Sequence, residues 1–172
     1  MITPLTLADA PQVQRLFERS SDFFELVNGA PPPADLAETE ITSVAPGKTL
    51  DDTVNFGVFD GDRLIAFLGL SRDYPKAPEW WLGLIVLDPA ERNRSLGPRI
   101  HRELLDWIAA QGGTKLWIAV QTQNVDAERF WRRIGYIEDR RQPYGTGSVI
   151  VMWIDVAPAS GPLRTTPSSP SR

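Results

Sequence analysis

Apolar side chains recur along this chain with two periods, and the changes between them mark its elements. Thr53–Phe59 and Leu64–Leu70 are largely apolar runs joined by Asp60-Gly61-Asp62-Arg63. Asp-Gly suits the positive backbone dihedrals of a tight turn, so the two runs predict a β-hairpin. Trp80–Leu87 extends the series, Lys115–Val120 predicts a buried strand, and Ile2–Leu7 a first one. After Asp9, a candidate helix cap, Val13, Leu16 and Phe17 return at helical spacing, with Pro11 tolerated in the first turn. Phe23, Phe24, Leu26 and Val27 form a second apolar group, Pro31-Pro32-Pro33 breaks it, and Ala34–Val44 reads as a further helix. Beyond Gly97, the residues Ile100, Leu104, Trp107 and Ile108 share one helical face that ends near Gly112-Gly113. Asp126–Ile134 carries Ala127, Phe130, Trp131 and Ile134 on one face. Tyr136–Ile137 and Ser148–Val156 predict a closing antiparallel pair about Gly145 and Gly147. This order predicts an α/β fold, a mixed and mostly antiparallel twisted sheet flanked by helices.

Composition narrows the function classes. With 172 residues, 42% of them hydrophobic, the chain can bury a core, and one domain is expected over residues 1–156. Residues 157–172 are rich in Pro, Ser and Thr, and disorder is expected there. A net charge of -4 argues against a broad nucleic-acid surface and is compatible with attracting cationic amines. The chain has no cysteine, which excludes disulfides, thiolate metal sites and a cysteine nucleophile. Its one histidine, His101, excludes a multi-histidine metal site and reads as a structural or surface residue. The N-terminal residues lack a basic region followed by a long apolar core, and no apolar run approaches about 20 residues. The expectation is a cytoplasmic protein without metal, membrane or nucleic-acid partners, as a monomer or homodimer.

The densest chemical signal lies in Leu84–Gly97. An apolar run stops at Asp88-Pro89, a short basic loop follows, and an amphipathic helix opens at Gly97 and Pro98. The free N–H groups and dipole of a helix N-terminus attract anions, and Arg92 and Arg94 add positive charge. The combination points to a phosphate or pyrophosphate ligand. Each residue also has a plainer reading. Gly97 either admits backbone close to phosphate or relieves crowding at the helix start. Ser95 caps the helix, donates to a phosphate, or narrows the loop. Arg92 and Arg94 are ligand contacts or a solvated pair. The Gly-Lys-Ser/Thr ending of a P-loop and the Gly-x-Gly-x-x-Gly pattern are absent.

Arg92-Asn93-Arg94-Ser95-Leu96-Gly97 resembles motif A of the GNAT acetyltransferase superfamily, Arg/Gln-x-x-Gly-x-Gly/Ala, with serine at the first glycine. Asn124-x-x-Ala127-x-x-Phe130-Trp131-x-x-x-Gly135-Tyr136 is similar to motif B, with Trp131 where the family usually has tyrosine. The resemblance covers about Ile2 to Val156. It implies the GNAT fold and acetyl-CoA as cosubstrate. Ile85, Val86 and Leu87 would border the acetyl group and pantetheine, and backbone amides from Arg92 to Gly97, with Pro98 beside them, would hold the pyrophosphate. Asn124 would bond near the pantetheine arm, although asparagine also suits a helix N-cap. Phe130 and Trp131 would line the cofactor or pack inward.

An acyl thioester carries a good leaving group, so positioning the amine supplies much of the rate, with effective molarities of about 10⁵ M or more. Without cysteine, direct attack by an amine in a ternary complex is expected. Trp131 has no proton-transfer chemistry at neutral pH and cannot be the general acid that tyrosine provides in many relatives. Glu79, at the start of the strand leading to the acyl site, is the expected general base, ahead of Asp73 and Glu25. Phe24 and Glu25, in a mixed aromatic and acidic segment, would suit an amine acceptor. The reading is an N-acetyltransferase acting on a primary amine, small or on a peptide or protein. The alternative is a catalytically weak CoA-binding sensor or interaction module on the same fold.

Overall fold

The structure, a computed structural model, describes residues 1–158. Its strands are β1 (Thr3–Leu5), β2 (Thr53–Asp60), β3 (Arg63–Arg72), β4 (Glu79–Leu87), β5 (Lys115–Gln121), β6 (Ile137–Tyr144) and β7 (Gly147–Asp155). The helices are α1 (Ala10–Arg19), α2 (Ser21–Asn28), α3 (Leu36–Ile41), α4 (Leu96–Ala110) and α5 (Val125–Arg133). One seven-stranded sheet has the order β1-β2-β3-β4-β5-β7-β6. Every neighbouring pair is antiparallel except β4 and β5, which run parallel. A parallel pair needs a crossover, and α4 supplies it.

Helices cover both faces, so β3 reads as a nearly unbroken apolar run and is buried on both sides. On one face, Val13, Leu16 and Phe17 of α1 pack with Phe24, Ala37 and Ile41 against Leu64, Phe67 and Val86. On the other, Ile100, Leu104 and Ile108 of α4 and Trp131 of α5 pack against Leu68, Trp80, Leu116, Ile118 and Met152. The predicted mixed sheet is therefore present, with helices in two layers.

Several boundaries differ from expectation for local reasons. The first strand ends at Leu5 because Thr6 turns to donate its N–H and hydroxyl to the Asp9 carboxylate, at 2.8 and 3.1 Å. Asp9 thereby closes a capping box with Thr6 rather than capping α1 with its side chain. The third helix covers only Leu36–Ile41 of the expected Ala34–Val44. The closing hairpin is longer than expected, because β6 is an exposed edge strand whose polar residues show no apolar alternation. Of the Pro/Ser-rich tail, residues 159–172 lie outside the described residues.

His101 belongs to the core. Its imidazole lies 3.1 Å from the Tyr136 hydroxyl and packs edge-on against Trp131. Burial pushes the His101 pKa down from 6.5 to about 4, so the folded protein holds it neutral. The unfolded chain therefore takes up a proton before the folded one does. Stability from this source is complete above about pH 6.5 and falls as the pH drops toward about 4. His101→Gln keeps a hydrogen-bonding group without this titration. Urea unfolding at pH 7 and 4.5 should show the parent losing on the order of 2–3 kcal/mol more stability than the variant.

Candidate functional site

Strands β4 and β5 pair only from Glu79–Lys115 to Leu82–Ile118 and then part. Beyond this point β4 keeps its antiparallel ladder with β3, and β5 keeps its ladder with β7. Gly83 is the extra residue of a bulge: Gly69 pairs with Leu84 and Leu70 with Leu82. Such a bulge bends its strand and increases the local twist, which turns β4 away from β5. The far half of β4 therefore presents an unpaired backbone edge into a cleft of about 1320 Å³.

Leu84–Leu87 form one wall of this cleft, Ile118–Gln121 of β5 face them, and Asn93, Ser95, Gly97 and Pro98 close one end. The loop at that end is anchored by buried Asp88, whose carboxylate accepts the Ala90 N–H at 3.0 Å and Arg19 Nε at 2.8 Å. Arg19 also donates to the Leu64 carbonyl, so α1 and β3 together fix where the chain leaves β4. Asn93 and Ser95 both hold left-handed backbone, each at φ 61°. That conformation favours glycine, which gives a physical reason for a glycine at the Ser95 position in motif A. The first turn of α4 starts at Leu96, and its N–H groups have no intrahelical partner. Pro98 has no N–H to leave unpaired there.

The structure brings most of the expected cofactor residues to one place. Ile85, Val86, Leu87, Arg92, Asn93, Ser95, Gly97, Pro98, Asn124, Phe130 and Trp131 all border the cleft. Leu96 is buried behind the loop, and Arg94 is exposed, 3.8 Å from Glu91. Arg92 pairs with Asp22 of α2, and its guanidinium holds the Asp22 carboxyl below the usual carboxylate range. The Asn124 side chain caps α5 by accepting the Ala127 N–H at 3.1 Å. A Cβ on Gly97 would stand 3.4 Å from the Phe130 ring, so α5 packs closely over this position. Trp131 is 6% exposed and packs on Phe130, Tyr136 and His101 as part of the core.

Besides Arg94 and Leu96, two expected residues are not brought to the cleft. Glu79 lies at the closed end of the β4–β5 pair, where it is buried and accepts Trp117 Nε1 at 2.7 Å. The strand begins there, but it opens four residues later. Glu25 is exposed and accepts the Ser21 hydroxyl at 2.8 Å, while Asp22, Phe23 and Leu26 form the cleft-facing side of α2. Phe24 reaches the cleft but is 2% exposed and packs edge-on against Phe17 and Phe23.

Other residues line the cleft without having been singled out: Glu40, Asn55, Tyr74, Trp81, Arg133 and Tyr144. Asn55 alone carried a legible signal, a polar side chain inside the apolar run Thr53–Phe59. The rest come from loops and strand ends whose convergence depends on topology. Among the described residues, no group of three His, Asp or Glu side chains is placed to hold a metal ion. Among them too, no helix is long and apolar enough to cross a membrane.

The chain matches the acetyltransferase (GNAT) family over residues 13–136. It is 36% identical over 81 residues, 46% of the chain, to the N-alpha-acetyltransferase RimI of Mycobacterium tuberculosis. That match spans 49% of the relative, about half its length. An acetyltransferase from Thermus thermophilus superposes with a TM-score of 0.70 at 24% identity, covering 90% of this chain and 96% of the other. The PaiA N-acetyltransferase of Thermoplasma acidophilum, solved in complex with coenzyme A, superposes with a TM-score of 0.64 at 17% identity, covering 90% and 98%. With the family match running from α1 to the end of the second motif, the chain belongs to the GNAT acetyltransferase family.

Proposed function

We propose that this protein moves an acetyl group from acetyl-CoA to a primary amine by direct attack in a ternary complex. The observation that carries this reading is the parting of β4 from β5 in front of the α4 N-terminus. The residues present fit the cosubstrate. An open strand edge offers amides and carbonyls to an extended amide-bearing arm, and a helix start with free N–H groups suits a pyrophosphate. Acetyl-CoA supplies an acyl thioester already activated toward nucleophiles. The chain would hold it through the backbone of Ile85–Leu87 and the amides of the Arg92–Gly97 loop. Arg92 would meet the diphosphate, exchanging its carboxylate partner Asp22 for a second anion. Amides on the free edge of β4 would stabilise the charge that develops on the acyl oxygen.

A second reading, CoA binding without transfer, is favoured by one observation. Trp131 replaces the usual tyrosine, and Tyr136 is buried against His101 rather than facing the cleft. Tyr74 and Tyr144 do face it.

Calorimetric titration with acetyl-CoA, CoA and ATP is the deciding experiment. Micromolar binding of both CoA forms with much weaker ATP is expected, followed by amine-dependent release of CoA thiol. Absence of binding by folded protein would overturn both readings, and binding without thiol release across an amine panel would select the second. Arg92→Ala should weaken CoA binding about tenfold, the scale of one charge-assisted hydrogen bond. Asp22→Asn should leave affinity unchanged or tighter, because the exposed pair contributes at most about 1 kcal/mol to folding. Ser95→Gly relieves left-handed backbone on a non-glycine residue. Thermal and urea unfolding should show a gain of about 1 kcal/mol, with CoA affinity retained or improved.

A further inference from the structure

Asn55 is a polar residue set into the apolar strand β2, and only 7% of it is exposed. Its Nδ2 donates to the Ile41 carbonyl at 2.9 Å, which fixes the orientation of the amide because that carbonyl can only accept. Its Oδ1 is buried and has no hydrogen-bond partner. Buried acceptors are rarely left unpaired, and each one calls for an explanation. The surroundings supply one. A Cβ built on Gly69, the β3 residue paired with Asn55, would stand 3.3 Å from this oxygen. Gly69 therefore keeps open the space that the oxygen faces. Gly83 of the β4 bulge lies beside it and is also bare of side chain. Asn55, Gly69 and Gly83 all border the cleft, and the free oxygen lies just beneath its surface, with less than 1 Å² of it accessible.

Acidic and aromatic groups share this cleft, whose lining also includes Arg92, Arg129 and Arg133. Glu40 borders the same cleft, one residue before the Ile41 carbonyl that anchors Asn55. It is half-buried, and among the described residues no cationic side chain lies within ion-pairing distance of it. Burial raises its pKa above the ordinary carboxylate value, as expected for a carboxyl that lacks a counter-ion. Tyr74 and Trp81 stand edge-to-face at 5.5 Å along the cleft, with Phe23 on the α2 side. A lone oxygen acceptor, a carboxylate without a partner and aromatic faces suit a group that has several N–H donors, positive charge and an apolar attachment.

We propose that Asn55 Oδ1 and Glu40 form the acceptor subsite, and that it takes a primary ammonium group carried on an apolar or aromatic body. This rests on the acetyl-transfer reading only in naming the ligand an acceptor. The ammonium would satisfy the buried oxygen and neutralise the carboxylate, and the body would lie against Tyr74 and Trp81. A neutral alcohol of the same shape would leave the carboxylate uncompensated. Selectivity therefore comes from charge as well as shape.

The test is a titration of ¹⁵N-labelled protein with 2-phenylethylammonium, and with 2-phenylethanol as the neutral control, with and without CoA. The Asn55 side-chain amide, assigned by its loss in Asn55→Leu, should shift saturably with the ammonium and little with the alcohol. Glu40→Gln should weaken ammonium binding at least about tenfold, the scale of a hydrogen bond to a charged group, with CoA affinity unchanged. Equal binding of alcohol and ammonium, no saturable shift at Asn55, or unchanged ammonium affinity in a folded Glu40→Gln variant would each overturn the proposal. Failure of CoA to bind while the ammonium still shifts Asn55 would strike the acetyl-transfer reading and leave the ammonium subsite standing.

Discussion

The loss of pairing between β4 and β5 is the constraint on which the site depends. Two parallel neighbours in a buried sheet would ordinarily bond along their whole length, and a free edge inside a protein leaves polar backbone without partners. Here pairing stops after Leu82 and Ile118, and the Gly83 bulge turns β4 aside. The same event opens the cleft, exposes backbone that an extended ligand can bond, and aims the end of β4 at the first turn of α4. One inserted residue thus converts a continuous sheet into a binding groove.

That groove is useful only if the loop beyond it is held, and the holding is polar. Asp88 is buried where the chain leaves β4, bonded to the Ala90 amide and to Arg19. A buried carboxylate is costly unless paired and hydrogen-bonded, and here it has both kinds of partner. Through Arg19 the loop is tied to α1 and to the Leu64 carbonyl of β3. The layer of α1 to α3 therefore does more than cover apolar surface. It fixes the loop after β4 from one side and, through Glu40 and the Ile41 carbonyl, furnishes the cleft from the other.

Legibility in the sequence followed the range of the forces involved. The β2–β3 hairpin could be read because Asp60-Gly61 specifies a tight turn within four residues. The α4 face could be read because Ile100, Leu104 and Ile108 repeat at the helical period. The edge strand β6 was mostly missed, since an exposed strand carries no apolar alternation to reveal it. Motif A marked the loop from Arg92 to Gly97 because left-handed backbone and free helix amides are local demands written into adjacent residues. Where Glu79 lies relative to the cleft could not be read, for the opposite reason. Its position at the head of β4 is local, but whether that end is open or closed depends on β5, some forty residues away.

The sequence by itself determined the identity and order of most elements, the basic, helix-opening character of the Arg92–Gly97 loop, and the absence of cysteine chemistry. Periodicity, turn residues and composition act over a few positions and need no partner. Only the tertiary structure decided which side chains meet. It buried Trp131 and His101, turned Glu25 away, closed Glu79 behind Trp117 and paired Arg92 with Asp22. It also set Asn55 beside a bare Gly69 and brought Glu40 to the same cleft. These outcomes depend on strand register and on the packing of helices distant in sequence, and a one-residue change of register would send each strand side chain to the other face of the sheet.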